Sequence, residues 1–436
     1  MSTPSFGRRR FARLLALGGP ATVLAAPLLG NGRSGDERLP GGQAPGALPP
    51  TPASPDEAFW RGVRQQFLVP PDLAILNAAN LCPSSAPAIE ALTRVTQDID
   101  RDPSIENRRK AGEGREAARR TIADTLRVSP EEILITRNTS EGNNIVSSGL
   151  DLKAGDEVVI LSDNHPSAHA AFREKARRSG FTVTVVQIVS PHPGADYYVE
   201  AFAKAITPRT KLVAITHVTA SAGDLIPARE ICRVARERGA LTLVDAAQSF
   251  GVLDIDLSDM QPDFFTGSAH KWPCGPREVG VLYVNRRVQA QLWPSVISLY
   301  AGALGISKTH GGLGQRDEAA MIGFAEALRF QTRIGRTVIE TRSRLLAQRL
   351  MAQLNEVAGV TLWTSRDPAR SAAIVTFKPG HLDPAKLAST LYERERIACT
   401  ARSGADRPGI RLSPHFYNLE AEVDRTVAAV RKYISA

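Results

Sequence analysis

A lysine stands in the run Ser268-Ala269-His270-Lys271-Trp272-Pro273-Cys274-Gly275-Pro276, between two apolar β-branched segments. An amine placed this way is expected to lose hydration, which depresses its pKa and makes it a nucleophile toward a carbonyl. Upstream, Leu243-Val244-Asp245-Ala246-Ala247-Gln248-Ser249 sets an acid at the carboxyl end of an apolar strand. Open α/β sheets bind ligands there, and a buried carboxylate calls for a cationic partner unless it merely caps the next segment. Asn164-His165-Pro166-Ser167 follows the strand Val158-Val159-Ile160-Leu161, so His165 either stacks on a flat ligand or caps a helix. Ile133 to Thr136 leads into Arg137-Asn138-Thr139-Ser140-Glu141-Gly142-Asn143-Asn144, a polar turn opening a helix. Free N–H groups and the helix dipole suit such a turn to a phosphate, with the Thr139 and Ser140 hydroxyls assisting, although Ser and Thr are also ordinary N-caps.

These residues need strands to position them, and the chain supplies seven candidates: Ile133 to Thr136, Glu157 to Leu161, Phe181 to Val186, Lys211 to Val218, Leu241 to Asp245, Asp263 to Thr266 and Val279 to Val284. Continuous apolar runs with helical patterns between them predict an α/β fold with a mostly parallel sheet covered on both faces. A representative crossover helix begins at Pro227, carries Ile231, Val234 and Ala235 on one stripe and stops at Gly239. Beyond a linking helical region, Ala319 to Val357, the chain predicts a smaller α+β unit. Its strands are Thr361 to Thr364, Ala372 to Lys378, Ile397 to Thr400 and Gly409 to Ser413, with helices at Pro384 to Arg396 and Glu420 to Tyr433. No internal repeat is present. The domain expectation is 57–330 for the arm and large domain and 331–436 for the linking helix and small domain.

In this order the motifs resemble the class V aminotransferase and cysteine desulfurase family of pyridoxal-phosphate enzymes, within the fold type I superfamily. The resemblance covers roughly residues 73–433. It implies a large domain with a seven-stranded, mostly parallel sheet and a small C-terminal α+β domain. It also implies pyridoxal 5'-phosphate as cofactor, with Lys271 in the internal Schiff base and Asp245 against the pyridine nitrogen. His165 would stack on the ring, Gln248 would reach the phenolic oxygen, and Thr139, Ser140, Ser268 and His270 would hold the phosphate. Gly409-Ile410-Arg411-Leu412-Ser413-Pro414-His415 resembles the segment whose arginine clamps the substrate carboxylate, for which Arg411 can use two parallel hydrogen bonds. Asn77, in Leu76-Asn77-Ala78-Ala79-Asn80, matches a strand lining the same pocket. A homodimer with a shared site is implied; Gly314-Gln315-Arg316-Asp317 departs from the Gly-Thr with which relatives often reach the partner's phosphate, which leaves open whether Gln315 takes that place.

Departures narrow the activity. Desulfurases of the family carry a nucleophilic cysteine just before the clamping arginine, whereas Arg402-Ser403-Gly404-Ala405-Asp406-Arg407 contains none. Cys399 lies too early, and Cys232 and Cys274 read as packing residues. His217-Val218-Thr219 is followed by Ala220-Ser221 where many relatives have an asparagine, leaving a contact to be taken over by Ser221. With an exported N-terminus, the pattern looks more like the isopenicillin N epimerase-like branch. Transamination, epimerisation and β-elimination of the C–S lyase type all stay open, as does a secreted binding protein that keeps the fold without turnover.

The net charge is +9, but residues 1–50 hold six Arg against Asp36 and Glu37, leaving +5 on the rest. Scattered charges and 6% aromatics speak against a nucleic-acid surface. Four cysteines without paired short spacing exclude a disulfide framework and a zinc site. Arg8-Arg9-Arg10-Phe11 ahead of the apolar stretch Leu14 to Leu29 resembles a twin-arginine export signal over 1–30, too short to span a membrane. Six Pro and five Gly within 31–55 mark a flexible tether to about residue 56. The expectation is a periplasmic or secreted enzyme, delivered folded by the twin-arginine machinery, with no membrane contact when mature.

Overall fold

Thirteen strands position the candidate site in the computed structural model, which describes residues 48–299, 302–403 and 406–435. The expected export signal and residues 31–47 of the tether lie outside the described residues. Seven strands form the main sheet: β2 (Ile133–Thr136), β3 (Glu157–Leu161), β4 (Thr182–Val186), β5 (Thr210–Thr216), β6 (Leu241–Asp245), β7 (Phe264–Ser268) and β8 (Gly280–Val284). Their order is β2-β8-β7-β6-β5-β3-β4, and only β8 runs against its neighbours. All residues of β2, β3, β7 and β8 are buried, as helices on both faces require. One face packs Ile133, Val159, Val213, Val244 and Phe265. The other packs Leu134, Ile160, Leu212, Leu243 and Phe264.

Most expected boundaries move by one to three residues, and three of the differences have a structural cause. Lys211 to Val218 ends as a strand at Thr216, because Val218 bridges to Leu225 in a tight excursion. Ile397 to Thr400 divides in two: β11 (Ile397–Ala398) pairs in parallel with the short β1 (Ala74–Ile75), and β12 (Thr400–Arg402) joins the small sheet. The linking region is two helices, Glu318–Ile334 and Arg336–Leu354, broken where Gly335 takes φ 102°. The crossover helix Ala228–Glu237 buries Ile231, Val234 and Ala235 as its stripe predicts, with Cys232 among them.

The small sheet, in the order β12-β13-β10-β9, adds β9 (Val360–Leu362), β10 (Val375–Pro379) and β13 (Gly409–Leu412) and is antiparallel throughout. The helices Arg336–Leu354, Pro384–Glu395 and Glu420–Ile434 enclose its core of Leu346, Leu350, Phe377, Leu391, Ile410 and Val427. Strand alternation turns Arg411 to the opposite face from Ile410 and Leu412.

Gly251 is required where it stands. Its φ is 99°, and a Cβ there would lie 2.4 Å from the Pro273 nitrogen, in the segment that carries Lys271. Gly251→Ala is expected to cost about 2 kcal/mol or more of stability through strain and overpacking, read as a lowered urea midpoint with unchanged slope. A midpoint equal to that of the wild type would contradict the close approach.

Candidate active site

The chemistry-bearing residues meet at the carboxyl ends of the parallel strands. Thr139 follows β2, His165 follows β3, Asp245 ends β6, Ser268 ends β7, and Lys271 sits in the turn beyond β7. This is the edge at which open α/β sheets bind ligands.

Several contacts hold the Lys271 backbone still. The Cys82 amide donates to the His270 carbonyl at 2.9 Å, and the Cys274 amide to the Lys271 carbonyl at 2.9 Å. The Trp272 indole N–H donates to Gln248 Oε1 at 2.9 Å, and the Trp272 carbonyl accepts from Gln331 Nε2 and from His415 Nε2, each at 2.7 Å. The Lys271 amine has no hydrogen bond or ion pair among the described residues. Desolvation lowers its pKa to about 8, with the Asp245 charge opposing and Arg411 adding to the fall. The expected depressed lysine is therefore present.

Asp245 is buried, and its side chain meets neutral groups. Asn143 Nδ2 donates to Oδ2 at 2.9 Å, and the Ala247 amide to Oδ1 at 3.1 Å. Thr266 Oγ1 in turn donates to Asn143 Oδ1 at 3.1 Å, fixing the amide. The cationic partner expected from sequence is not an ion pair among the described residues, so the carboxylate stands ready for a positively charged ring.

At the start of the helix Thr139–Gly149, the Thr139 amide donates to Ser268 Oγ at 2.9 Å and the two hydroxyls lie 2.8 Å apart. Ser140 is exposed, its hydroxyl donating to Ser167 Oγ at 3.3 Å. Asn138, not Thr139 or Ser140, is the N-cap, which leaves both hydroxyls outside that role. His165 takes the capping role offered for it. It caps the helix Pro166–Ser179, with Nδ1 accepting from the Ser167 amide at 3.3 Å, while the residue remains exposed. Partial desolvation of the ring and then the Lys271 charge lower its pKa. His270 falls to about 4, through burial first and the charges of Lys271 and Arg277 next, so it is neutral at ordinary pH. Gln248 Nε2 donates to the Ala79 carbonyl at 2.9 Å, keeping one N–H to spare.

On the small-sheet side, Arg411 Nη1 donates to the Ala220 carbonyl at 2.9 Å, and burial with Arg402 nearby lowers its pKa to about 10. Asn77 bridges to Ser413 and accepts from Thr400 Oγ1 at 2.6 Å, so it braces β12 against the N-terminal arm. Ser221, which follows Ala220 where many relatives have an asparagine, has its hydroxyl engaged by neighbours on both sides. It is tied to Asp163 and Arg407. Gln315 is exposed and accepts from Arg108 Nη1 at 3.0 Å. Sequence reading passed over Asn143, Gln331 and His415, because each acts only through a neighbour remote in the chain. Its expectation that Cys232 and Cys274 pack holds, as both are buried and free. Among the described residues no group of His, Cys, Asp or Glu suits a metal ion, and no helix is long and apolar enough to cross a membrane.

The arrangement fits pyridoxal phosphate: an unpartnered amine, a carboxylate without a cation, an exposed imidazole and a hydroxyl-lined helix start. The family model described as aminotransferase class-V matches residues 99–426. The isopenicillin N epimerase of Amycolatopsis lactamdurans is 30% identical over 391 residues, covering 86% of this chain and 98% of that protein. A probable cysteine desulfurase of Methanothermobacter thermautotrophicus is 28% identical over 396 residues, covering 83% and 94%. Among solved structures, a C-DES mutant with glycine covalently linked to its PLP cofactor matches with a TM-score of 0.77 at 26% identity, covering 87% of this chain and 99% of that one. The apo cysteine desulfurase of Thermococcus onnurineus NA1 has the same fold, with a TM-score of 0.78 at 24% identity over 86% and 97% of the two chains.

The lowered lysine pKa has a definite sign. Between about 8 and 10.5 the folded, cofactor-free protein binds fewer protons at Lys271 than the unfolded chain, so stability rises with pH across that window. Lys271→Met is expected to remove that rise. Competitive acylation read by mass spectrometry should give Lys271 a labelling midpoint near pH 8, and an ordinary lysine midpoint would refute its desolvation.

Proposed function

Because the chain belongs to the aminotransferase class-V family and is a pyridoxal-phosphate enzyme, we propose that it acts at the Cα of an amino acid, free or borne on a peptide, by transaminase- or epimerase-type chemistry. The observation that carries this reading is the unpartnered Lys271 amine beside the cation-free carboxylate of Asp245. Pyridoxal phosphate, when bound, supplies an electrophilic aldehyde and a ring that accepts electron density. Lys271 would hold the aldehyde carbon and, once displaced by the substrate amine, move the proton at Cα. Asp245, oriented by Asn143, would keep a proton on the ring nitrogen. His165 would cover one ring face and Gln248 would donate its spare N–H to the phenolic oxygen. Thr139, Ser140, Ser268 and neutral His270 would hold the phosphate. Arg411 would clamp the substrate carboxylate, with Asn77 bracing the strand beside it.

Epimerase-type chemistry is favoured over persulfide-forming desulfuration. The isopenicillin N epimerases match at 30% and 29% identity over 98% of their length, against 28% over 94% for the probable cysteine desulfurase. Arg407 stands in the loop where desulfurases carry their cysteine, and two carboxylates hold it. A second reading, β-elimination of the C–S lyase type, draws on the 26% identity to C-DES, described as a cystine C-S lyase. We also propose a homodimer. Its support is the exposed apolar residues Trp293, Ile297 and Leu299 and an open depression of about 1100 Å³ lined by Arg108, Gln315 and Leu299. From the arginine-rich N-terminus we propose export by the twin-arginine route to the periplasm or beyond.

Protein supplied with pyridoxal phosphate is expected to be yellow and, after borohydride, to carry a reduced adduct on Lys271 detectable by mass. Lys271→Ala should lose both, and retention of the colour would refute the assignment. Asp245→Asn is expected to keep part of the cofactor and lose on the order of a hundredfold in turnover; near-wild-type turnover would remove Asp245 from its role. Mass analysis of products from L- and D-amino acids and cystine separates exchange, inversion and elimination.

A further inference from the structure

Register places a second arginine beside Arg411. In the antiparallel pair of β12 and β13, Thr400 stands opposite Arg411 and Arg402 opposite Gly409. Thr400, Arg402 and Arg411 therefore share one face of the sheet. Both guanidinium groups converge on a single acceptor, the Ala220 carbonyl, with Arg411 Nη1 at 2.9 Å and Arg402 Nη1 at 3.4 Å. The Nε of each is buried and has no hydrogen-bond partner.

The nearby acids are engaged elsewhere. Arg407 bonds Asp163 and Asp224 at 2.6 Å each, and Ser221 donates to Asp163 as well. Asp245 is held by Asn143. Asp163 acts on the charge of Arg402 from a distance, but neither Arg402 nor Arg411 forms an ion pair among the described residues. Arg411 is buried and Arg402 half-buried with its Nε enclosed; desolvated guanidinium donors left unmet are costly, and a carboxylate answers them with charge-assisted, bidentate hydrogen bonds. The α-carboxylate of a simple amino acid answers one of the two. Arg407 is no candidate for the other, since two carboxylates already pair with it.

We propose that Arg402 is a specificity-determining residue that binds a second carboxylate, so that the substrate is an amino acid with an acidic side chain. The proposal rests on the reading of Arg411 and of amino-acid chemistry given above.

The test uses the full chain loaded with pyridoxal phosphate, titrated with aspartate and glutamate against asparagine and glutamine and followed through the absorbance of the bound cofactor. Glutarate against butyrate, by calorimetry, reports binding without reaction. The acidic member of at least one amino-acid pair, and glutarate over butyrate, should half-saturate at a concentration roughly tenfold lower or better. Arg402→Gln should bring that ratio near one, and Arg402→Lys should keep part of it. Arg411→Gln should weaken both members of each pair. A wild-type ratio near one means a single carboxylate bridges both arginines and overturns the proposal. So does an Arg402→Gln protein, folded by circular dichroism, that weakens acidic and neutral members alike. If no amino acid perturbs the cofactor and borohydride leaves no adduct on Lys271, the underlying reading fails and takes this one with it; an adduct with amino-acid responses but no acidic preference sinks this one alone.

Discussion

The desolvation of one ammonium group organises the cleft. Lys271 sits in a turn whose backbone is gripped by Cys82, Gln331 and His415, with Gln248 holding the Trp272 indole, and among the described residues its amine has no partner. Burying a cation without a counter-ion costs free energy, and the protein answers with a pKa lowered to about 8. Asp245 is near enough to oppose that shift, yet its oxygens are occupied by Asn143 and the Ala247 amide. A lysine and an aspartate that could have paired are instead kept apart. Each is left able to meet a different part of a cofactor.

The same logic recurs on the small sheet with the opposite balance. Arg407 is fully met by Asp163 and Asp224 and ties the segment before β13 to the excursion after β5. Arg402 and Arg411 each retain a buried Nε that no acceptor fills among the described residues. A structural ion pair and an open anion site thus stand side by side, built from the same residue type and separated by how many carboxylates the surrounding chain provides.

Much of the site was legible because its residues sit at strand ends. Three of the seven expected strands match the observed ones residue for residue, and the others shift by a few positions. Thr139, His165, Asp245, Ser268 and Lys271 therefore fell on one sheet edge without any three-dimensional information. Boundaries slipped where tertiary pairing decided them. Ile397 to Thr400 looked like one strand, yet Ile397–Ala398 pairs with β1 and Thr400–Arg402 with β13. That Asp245 needs a partner follows from dielectric cost, but that Asn143 and the Ala247 amide hold its oxygens could not be read from the strand that carries it.

The sequence by itself determined the α/β class, the strand order in the chain, the schedule of motifs and the absence of a cysteine before Arg411. Those follow from local hydrophobic periodicity and residue chemistry, which need no knowledge of distant partners. Only the tertiary structure decided which side chains are satisfied and which are left open. That Asn143 orients Asp245, that His415 and Gln331 anchor Trp272, and that Arg402 stands unpaired beside Arg411 are outcomes of register and packing between segments far apart in the chain. Hydrogen-bond satisfaction is a property of pairs, and a single sequence names the members without saying which of them meet.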